Sequence, residues 1–357
     1  MAAPEIGFGV VGLGMGRHHC KAVAAARGAR LVAVCDLDLE RLRAAAAEHG
    51  VKAYESYAEM LRDPEIDAVC VATPSGMHAD MAMAAVDAGK HLLVEKPVDV
   101  RVDKIRRLSA AVDAAGLKAA VVFQTRTMPL YKRIQAAVAA GRLGTLVGVH
   151  AILPWYREAS YYQGPHGSWK GTWAMDGGGS LMNQGVHTVD LIQWVAGRVR
   201  SVAGAFGVFG HAIEAEDKAV AMLTFANGAL GTLTTTTAAF PGSGRIFLIH
   251  GTKGTIQADD WLVSWKLADD KDGNEERDML AFYGHKDRRP QANSVASDPM
   301  AVGSTGHVFH IEDLVEAIHL GREPYITVAS AAHAVEIVNA IYDSGRSGRE
   351  VTIDPGP

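Results

Sequence analysis

Cysteine is scarce in this chain: Cys20, Cys35 and Cys70 are the only ones in 357 residues. They lie in or beside apolar segments at spacings that suit no metal site, and an odd, scattered set supplies no disulfide framework. Reduced thiols in a cytoplasmic protein are expected. An excess of either charge is also missing. With 35 Lys and Arg against 40 Asp and Glu, the net charge is -5, which excludes a nucleic-acid surface and leaves no polybasic patch for a membrane. No apolar run is long enough to span a bilayer. Met1 to Val11 lacks both the basic start and the apolar stretch of a signal peptide, and reads as a first strand. Internal repeats, low-complexity tails and heptads are absent. What remains is ordinary globular material, 48% hydrophobic and 21% charged, too apolar to be disordered and long enough for two domains. The expected division is 1–125 and 126–357.

The first half alternates strands and helices, which implies a doubly wound α/β sheet with parallel strands. Ile6 to Val11 is a strand, followed by Gly12-Leu13-Gly14-Met15-Gly16-Arg17 and a helix to about Ala26. Leu31 to Cys35 is the next strand and ends at Asp36. A glycine turn between strand and helix, with an acid closing the following strand, is a dinucleotide-binding unit. Glycines let the backbone approach a pyrophosphate, and a helix N-terminus offers N–H groups. The third glycine is one place early, at Gly16, and Arg17 takes its usual position. Asp36 suits a ribose hydroxyl and repels a 2′-phosphate, which favours NAD over NADP. Its structural alternative is an N-cap for the helix that starts near Asp38. Ala68 to Ala72 is an apolar strand ending in Thr73-Pro74. Thr73 is either a cofactor contact or part of a helix cap, and His78 reads as a packed or capping histidine.

The stretch Gly89-Lys90-His91-Leu92-Leu93-Val94-Glu95-Lys96-Pro97 organises this half. It reads as a buried strand that ends in a charged pair and is stopped by proline. Ligands of open parallel sheets bind beyond the carboxyl ends of the strands, and the residue before proline is held out of helical geometry. Lys96 is therefore expected at the mouth of a cleft, with Gln124 at the end of the next strand, Ala119 to Phe123.

The second half is rich in strands, from Leu146 to Leu267, with turn signals such as Ala226-Asn227-Gly228. A mostly antiparallel, open sheet is expected. Ala219 to Leu223 is apolar on both faces, so a partner subunit is expected to cover one of them, unless the threonines of Thr232 to Thr237 leave that face exposed. Asp269 to Gly303 reads as an irregular excursion or lid. Two helices, Val308 to Leu320 and Ala331 to Tyr342, finish the chain. Within Asp176 to Asp190, the run Gly177-Gly178-Gly179 permits a tight helix entry and Ser180 can cap it. Asn183 and His187, four apart, share a face.

These segments together resemble the Gfo/Idh/MocA oxidoreductases. The carriers are the Gly12 turn, Ala72-Thr73-Pro74, Ala88-Gly89-Lys90-His91, Glu95-Lys96-Pro97 and the Gly177 to Asp190 helix entry. The resemblance implies an N-terminal Rossmann domain, an α+β domain whose large sheet makes homodimers or homotetramers, and NAD as cofactor. It implies that Lys96 and His187 are the catalytic lysine and histidine, with Asn183 standing where many members have aspartate. An amide cannot neutralise an imidazolium, so a carboxylate-assisted relay is not implied. The expected cofactor-binding set is Gly12, Gly14, Met15, Gly16, Asp36, Thr73, Pro74, His78, Glu95, Lys96, Gln124, Trp169 and Lys170. Arg126, Tyr156 and Arg157 are expected at the substrate with Lys96, Asn183 and His187. Tyr161 and Tyr162 have a contact between subunits as their alternative. The implied reaction is reversible NAD-dependent oxidation of a secondary hydroxyl on a small-molecule sugar or polyol, with a pyranoside carbon 3 as first choice and inositol as runner-up. His187 would be the general base, and Lys96 would stabilise the charge developing on oxygen. An NAD-retaining glycosidase and a non-catalytic NAD-sensing regulator are the other classes within the family.

Overall fold

A computed structural model of the protein describes residues 3–164, 167–285 and 305–354. The chain divides into two compact units. One comprises Met1–Gln124, Ala174–Gly177 and Gly303–Val335; the other comprises Thr125–Trp173, Gly178–Val302 and Glu336–Pro357.

In the first unit, β1 (Ile6–Val11), β2 (Ala29–Cys35), β3 (Lys52–Tyr54), β4 (Ala68–Val71), β5 (His91–Val94) and β6 (Ala119–Val121) form a six-stranded sheet in the order β3-β2-β1-β4-β5-β6. Every pairing is parallel. All residues of β1 and β4 are buried, as strands covered on both faces must be. The strand order reverses between β1 and β4, which makes their carboxyl ends the switch point of the sheet. The core around Phe8, Val10, Val23, Leu93 and Val122 also takes in Ile311, Leu314 and Val315. These last three come from the helix Thr305–Leu320, so a late piece of chain completes one layer of the first unit. The three cysteines are buried and unpaired. Burial pushes the Cys20 thiol up to about 12 and Cys35 to about 11, so both are inert near neutral pH.

In the second unit, β7 (Leu146–Pro154), β8 (Val199–Gly207), β9 (Lys218–Phe225), β10 (Leu230–Thr236), β11 (Ile246–Gly251), β12 (Gly254–Ala258), β13 (Leu262–Leu267) and β14 (Val351–Thr352) form one sheet. Its order among the described residues is β13-β12-β11-β7-β10-β9-β8-β14. Only β7 and β10 pair parallel; the remaining neighbours are antiparallel. Ala219, Ala221, Leu223 and Phe225 of β9 point into the core, while Val220 and Met222 are 44% and 64% exposed. Register lines Ile246, Ile152, Thr234 and Val220 in one row across the outer face, beside the row Leu248, His150, Thr232 and Met222. Aliphatic and threonine side chains therefore share that face. The segment from Asp269 is not wholly irregular: Asn274–Tyr283 is a helix, tied to β13 by the Trp265 indole N–H, which donates to Glu275 at 3.1 Å. The rest of that expected excursion, 286–303, lies outside the described residues. Among the described residues no helix is long and apolar enough to cross a membrane.

Candidate active site

At the switch point, Gly12 has φ +86°, and a Cβ there would sit 2.6 Å from the Ala72 carbonyl oxygen. Only glycine fits. Gly16 opens the helix Gly16–Ala25, and a Cβ on it would lie 3.0 Å from Val10 Cγ1. The early third glycine thus performs the close helix–strand packing expected of that position. Gly14 faces open space, its nearest neighbour being Arg41 Nη1 at 3.9 Å. The Asp36 carboxylate accepts the Leu13 N–H at 2.5 Å and the Asp38 N–H at 2.8 Å, fixing the turn to the end of β2. Asp36 is not the helix cap: Asp38 is, accepting from the Glu40 and Arg41 N–H groups. Thr73 does not cap a helix either, since the turn after it begins at Pro74 without a side-chain cap. Its Oγ1 is buried and has no hydrogen-bond partner among the described residues. A buried hydroxyl lacking a partner costs free energy unless a ligand satisfies it. Open space at Gly14 and the orphan Thr73 hydroxyl, both at the switch point, fit a dinucleotide.

His78 has a different job from cofactor contact. It is 2% exposed, with Nδ1 2.6 Å from the Pro97 carbonyl and Nε2 2.7 Å from the Thr73 carbonyl. It straps the end of β4 to the end of β5. Glu95 is likewise inward: it is 5% exposed, and Oε1 lies 2.7 Å from His19 Nε2 and 3.4 Å from His307 Nε2. Its Oε2 accepts the Lys96 N–H at 3.1 Å. Burial pushes the Glu95 carboxyl up, but the hydrogen bonds from both histidines prevail and hold it well below the usual carboxylate range. Burial pulls His19 down. A neutral imidazole thus donates to an ionised carboxylate, and that carboxylate grips the backbone of Lys96. Lys96 itself is half-buried, and its peptide bond to Pro97 is cis. Among the described residues, His19, Glu95 and His307 alone bring three ligand-type atoms close enough for a metal ion, within 4.8 Å. The His19–Glu95 contact is direct hydrogen-bond geometry, which a proton fills and an ion does not. The Gln124 amide lies 3.0 Å from His307 Nε2, so it belongs to this support as well.

In the second unit the helix entry differs from the expectation. Ser180–Gly185 is a π-helical turn leading into the α-helix Val186–Ala196. Such turns are uncommon and concentrate at functional sites. Ser180 is not the cap, for its Oγ bonds Thr235 Oγ1 at 3.0 Å. The cap is Glu216. Its carboxylate accepts the N–H groups of Gly179 (3.2 Å), Ser180 (2.7 Å) and Leu181 (2.9 Å), and the Tyr342 hydroxyl (2.6 Å). The glycines follow from this: a Cβ on Gly178 would lie 2.0 Å from Tyr342 Oη, and one on Gly179 2.1 Å from the Glu216 carbonyl oxygen. Burial pushes the Glu216 carboxyl up, and its four donors only partly offset that. From Ser180 to Asp190 every side chain is buried except Asn183 and His187, which are half-buried. Glu216, Tyr342, His19 and His307 carry no sequence signal as supports, because their partners lie far away along the chain.

Two expected substrate residues are scaffold instead. Arg126 is 5% exposed and forms a two-pronged ion pair with Asp190, which is fully buried. Arg157 is 1% exposed; it donates to the Tyr156 carbonyl and to Gln184 Oε1, both at 2.9 Å. Tyr156 is half-buried and packs edge-on against Phe240. Tyr161 Oη accepts from Gln184 Nε2 at 3.0 Å, and Tyr162 Oη donates to Thr237 at 2.9 Å, so both hydroxyls are used within the chain. Lys170 Nζ lies 3.8 Å above the Tyr161 ring, and the Trp169 carbonyl accepts from Thr172.

Two family models match. One, described as oxidoreductase family, NAD-binding Rossmann fold, covers residues 6–123; the other, described as GFO/IDH/MocA C-terminal domain, covers 131–257. The WlbA dehydrogenase of Bordetella pertussis, solved in complex with NADH and UDP-GlcNAcA, is 30% identical with TM-score 0.88, each chain being covered over 100% of its length. The myo-inositol 2-dehydrogenase of Thermotoga maritima is 27% identical over 77% of this chain and 82% of its own. The scyllo-inositol 2-dehydrogenase (NAD(+)) of Bacillus subtilis is 24% identical over 98% of this chain and 97% of its own. With both of its units matched, the chain belongs to the Gfo/Idh/MocA oxidoreductase family and carries an NAD-binding Rossmann domain.

Proposed function

We propose that the protein oxidises a secondary hydroxyl on a sugar ring to a ketone, reversibly, with NAD as the electron acceptor. NAD, when bound, supplies the carbon that takes the hydride. The Gly12–Gly16 turn, Asp36 and Thr73 would hold it, with Met15 and Pro74 alongside, and Trp169 and Lys170 are further candidates for the same role. His187 accepts the hydroxyl proton as that hydride leaves. Lys96 donates a hydrogen bond to the same oxygen and stabilises its developing negative charge.

The observation that carries this reading is the pair of supports that fix the elements carrying these two residues. Lys96 follows a buried strand end and is gripped by the ionised Glu95. His187 is one of only two half-buried side chains on an otherwise buried helix entry capped by Glu216. A protein that only sensed NAD would need neither. A pyranoside is the first choice of substrate, with carbon 3 as the proposed position; the UDP-GlcNAcA bound to the Bordetella relative supports a sugar-ring substrate and not a particular carbon. Inositol is the second, supported by the names of the Thermotoga and Bacillus relatives. The exposed aliphatic rows of the large sheet support assembly into a homodimer or homotetramer.

A spectrophotometric screen at 340 nm of sugars, glycosides and inositols with NAD and NADP tests the reaction. Net NADH formation with NAD is expected, whereas glycoside cleavage without it would point to the redox-neutral glycosidase chemistry. Lys96→Ala should lower kcat by about 100-fold with NAD affinity nearly intact. Wild-type turnover in that variant removes Lys96 from the mechanism.

A further inference from the structure

Arg157 has five N–H donors and no acceptor. The Gln184 atom 2.9 Å from its Nη2 must therefore be the amide oxygen. That places the Gln184 NH2 group on the other side, where it meets Tyr161 Oη at 3.0 Å and Asn183 at 2.8 Å. The Asn183 atom facing an NH2 donor must in turn be its oxygen. Polarity thus passes along three side chains without ambiguity, although an amide's oxygen and nitrogen are alike in shape. Arg157 is 1% exposed and lies over the rings of Trp155 and Tyr161, with its carbon Cζ 5.1 and 5.6 Å from their centroids, so the origin of the chain is rigid.

We infer that Arg157 and Gln184 are positioning residues that fix the Asn183 amide so that it turns its nitrogen, a donor, toward the substrate beside His187. This rests on the reaction proposed above. An aspartate at the same place would offer an acceptor. Asn183 adds an N–H to the oxygen that becomes negative in alcohol oxidation, and so works in the same sense as Lys96.

Two substitutions make the same chemical change by different routes. Asn183→Asp puts an oxygen where the nitrogen was. Gln184→Glu keeps an acceptor for Arg157 but presents an oxygen to Asn183, which must rotate its nitrogen inward and its oxygen outward. Both should lower kcat by about tenfold or more and agree within about threefold. KM and NADH affinity, the latter by fluorescence titration, should barely move. In thermal unfolding each single variant should remain near wild type. The double variant sets two carboxylates against each other with no rotation to relieve them, and its Tm should fall about 5 °C beyond the sum of the singles. Additive Tm changes, or wild-type kcat in Gln184→Glu alongside a loss in Asn183→Asp, overturn the inference. The unfolding cycle needs no substrate. If no alcohol is oxidised by the wild-type protein, the proposed reaction fails while the cycle still decides the relay.

Discussion

Each unit anchors the element that carries its proposed catalytic residue with one buried glutamate, and the two glutamates respond to burial in opposite ways. Glu95, next to Lys96, is held well below the usual carboxylate range, while Glu216, at the entry to the His187 helix, is raised from its ordinary value. Both are almost wholly enclosed and both accept several hydrogen bonds. The difference lies in the donors. Glu95 faces two imidazoles, whose hydrogen bonds and attraction outweigh burial; Glu216 faces backbone N–H groups and a phenol, whose hydrogen bonds do not. Neutral donors soften the desolvation of a carboxylate, but a titratable partner can reverse it. A parallel-sheet end and a helix entry thus reach the same mechanical result with opposite electrostatics.

The sharpest way to break this comparison is to neutralise each glutamate. Glu95→Gln should cost about 3–5 kcal/mol at neutral pH, because the charged acceptor shared by His19 and the Lys96 N–H is lost and an NH2 group must face one of them. A depressed carboxyl contributes stability that is present above its unfolded value of 4.5 and lost as pH falls through the folded one. The gap between wild type and variant, read by urea unfolding, should therefore be widest near pH 7 and narrow in acid. Glu216→Gln should cost about 2–3 kcal/mol by turning an NH2 group on donors. Its pH dependence should run the other way. A carboxyl raised in the folded state favours folding most below its unfolded value of 4.5, and that contribution is lost as pH rises through the folded one. Here the gap should be wider in acid than at neutral pH. Parallel slopes for the two variants would show that the partner chemistry does not set the sign.

The outline of this architecture is visible in the sequence because outlines are local. Apolar runs of four to six residues mark β1, β4 and β5, and the Gly12 turn with Asp36 marks the switch point. The supports are illegible for an equally physical reason. His19 and Glu95 meet from 76 positions apart, and Leu181 and Glu216 from 35. No spacing rule links them. Arg126 reads as a substrate residue because it follows a strand end, and Arg157 because the family resemblance brings its segment to the substrate. Their burial against Asp190 and Gln184 can be known only once the helix carrying those partners has been placed. The helix entry differs in detail since a π-turn has no composition of its own, and Ser180 is an ordinary N-cap candidate until Glu216 arrives from beside the next sheet strand.

Asp99 offers the finest test, because it sits in the same unit as Glu95 but has the donor type of Glu216. It is fully buried and accepts the N–H groups of Arg101 at 3.0 Å and Ala79 at 3.3 Å, with no imidazole bonded to it among the described residues. Burial pushes its carboxyl up to about 6 from an ordinary 3.8. Its behaviour follows its partners and not its domain. A group that binds its proton more tightly when folded makes the wild-type protein lose stability as pH rises from about 4 through about 6. An amide in its place cannot titrate, so the Asp99→Asn variant should gain about 1–2 kcal/mol relative to wild type across that interval. The gain is a slope, separate from the constant cost of setting an NH2 group against the weaker Ala79 bond. Unfolding midpoints at pH 4, 5, 6 and 7.5 would measure it. A flat difference would mean that the Asp99 carboxylate is solvated in the folded protein, and the contrast between the two glutamates would then need a cause other than their donors.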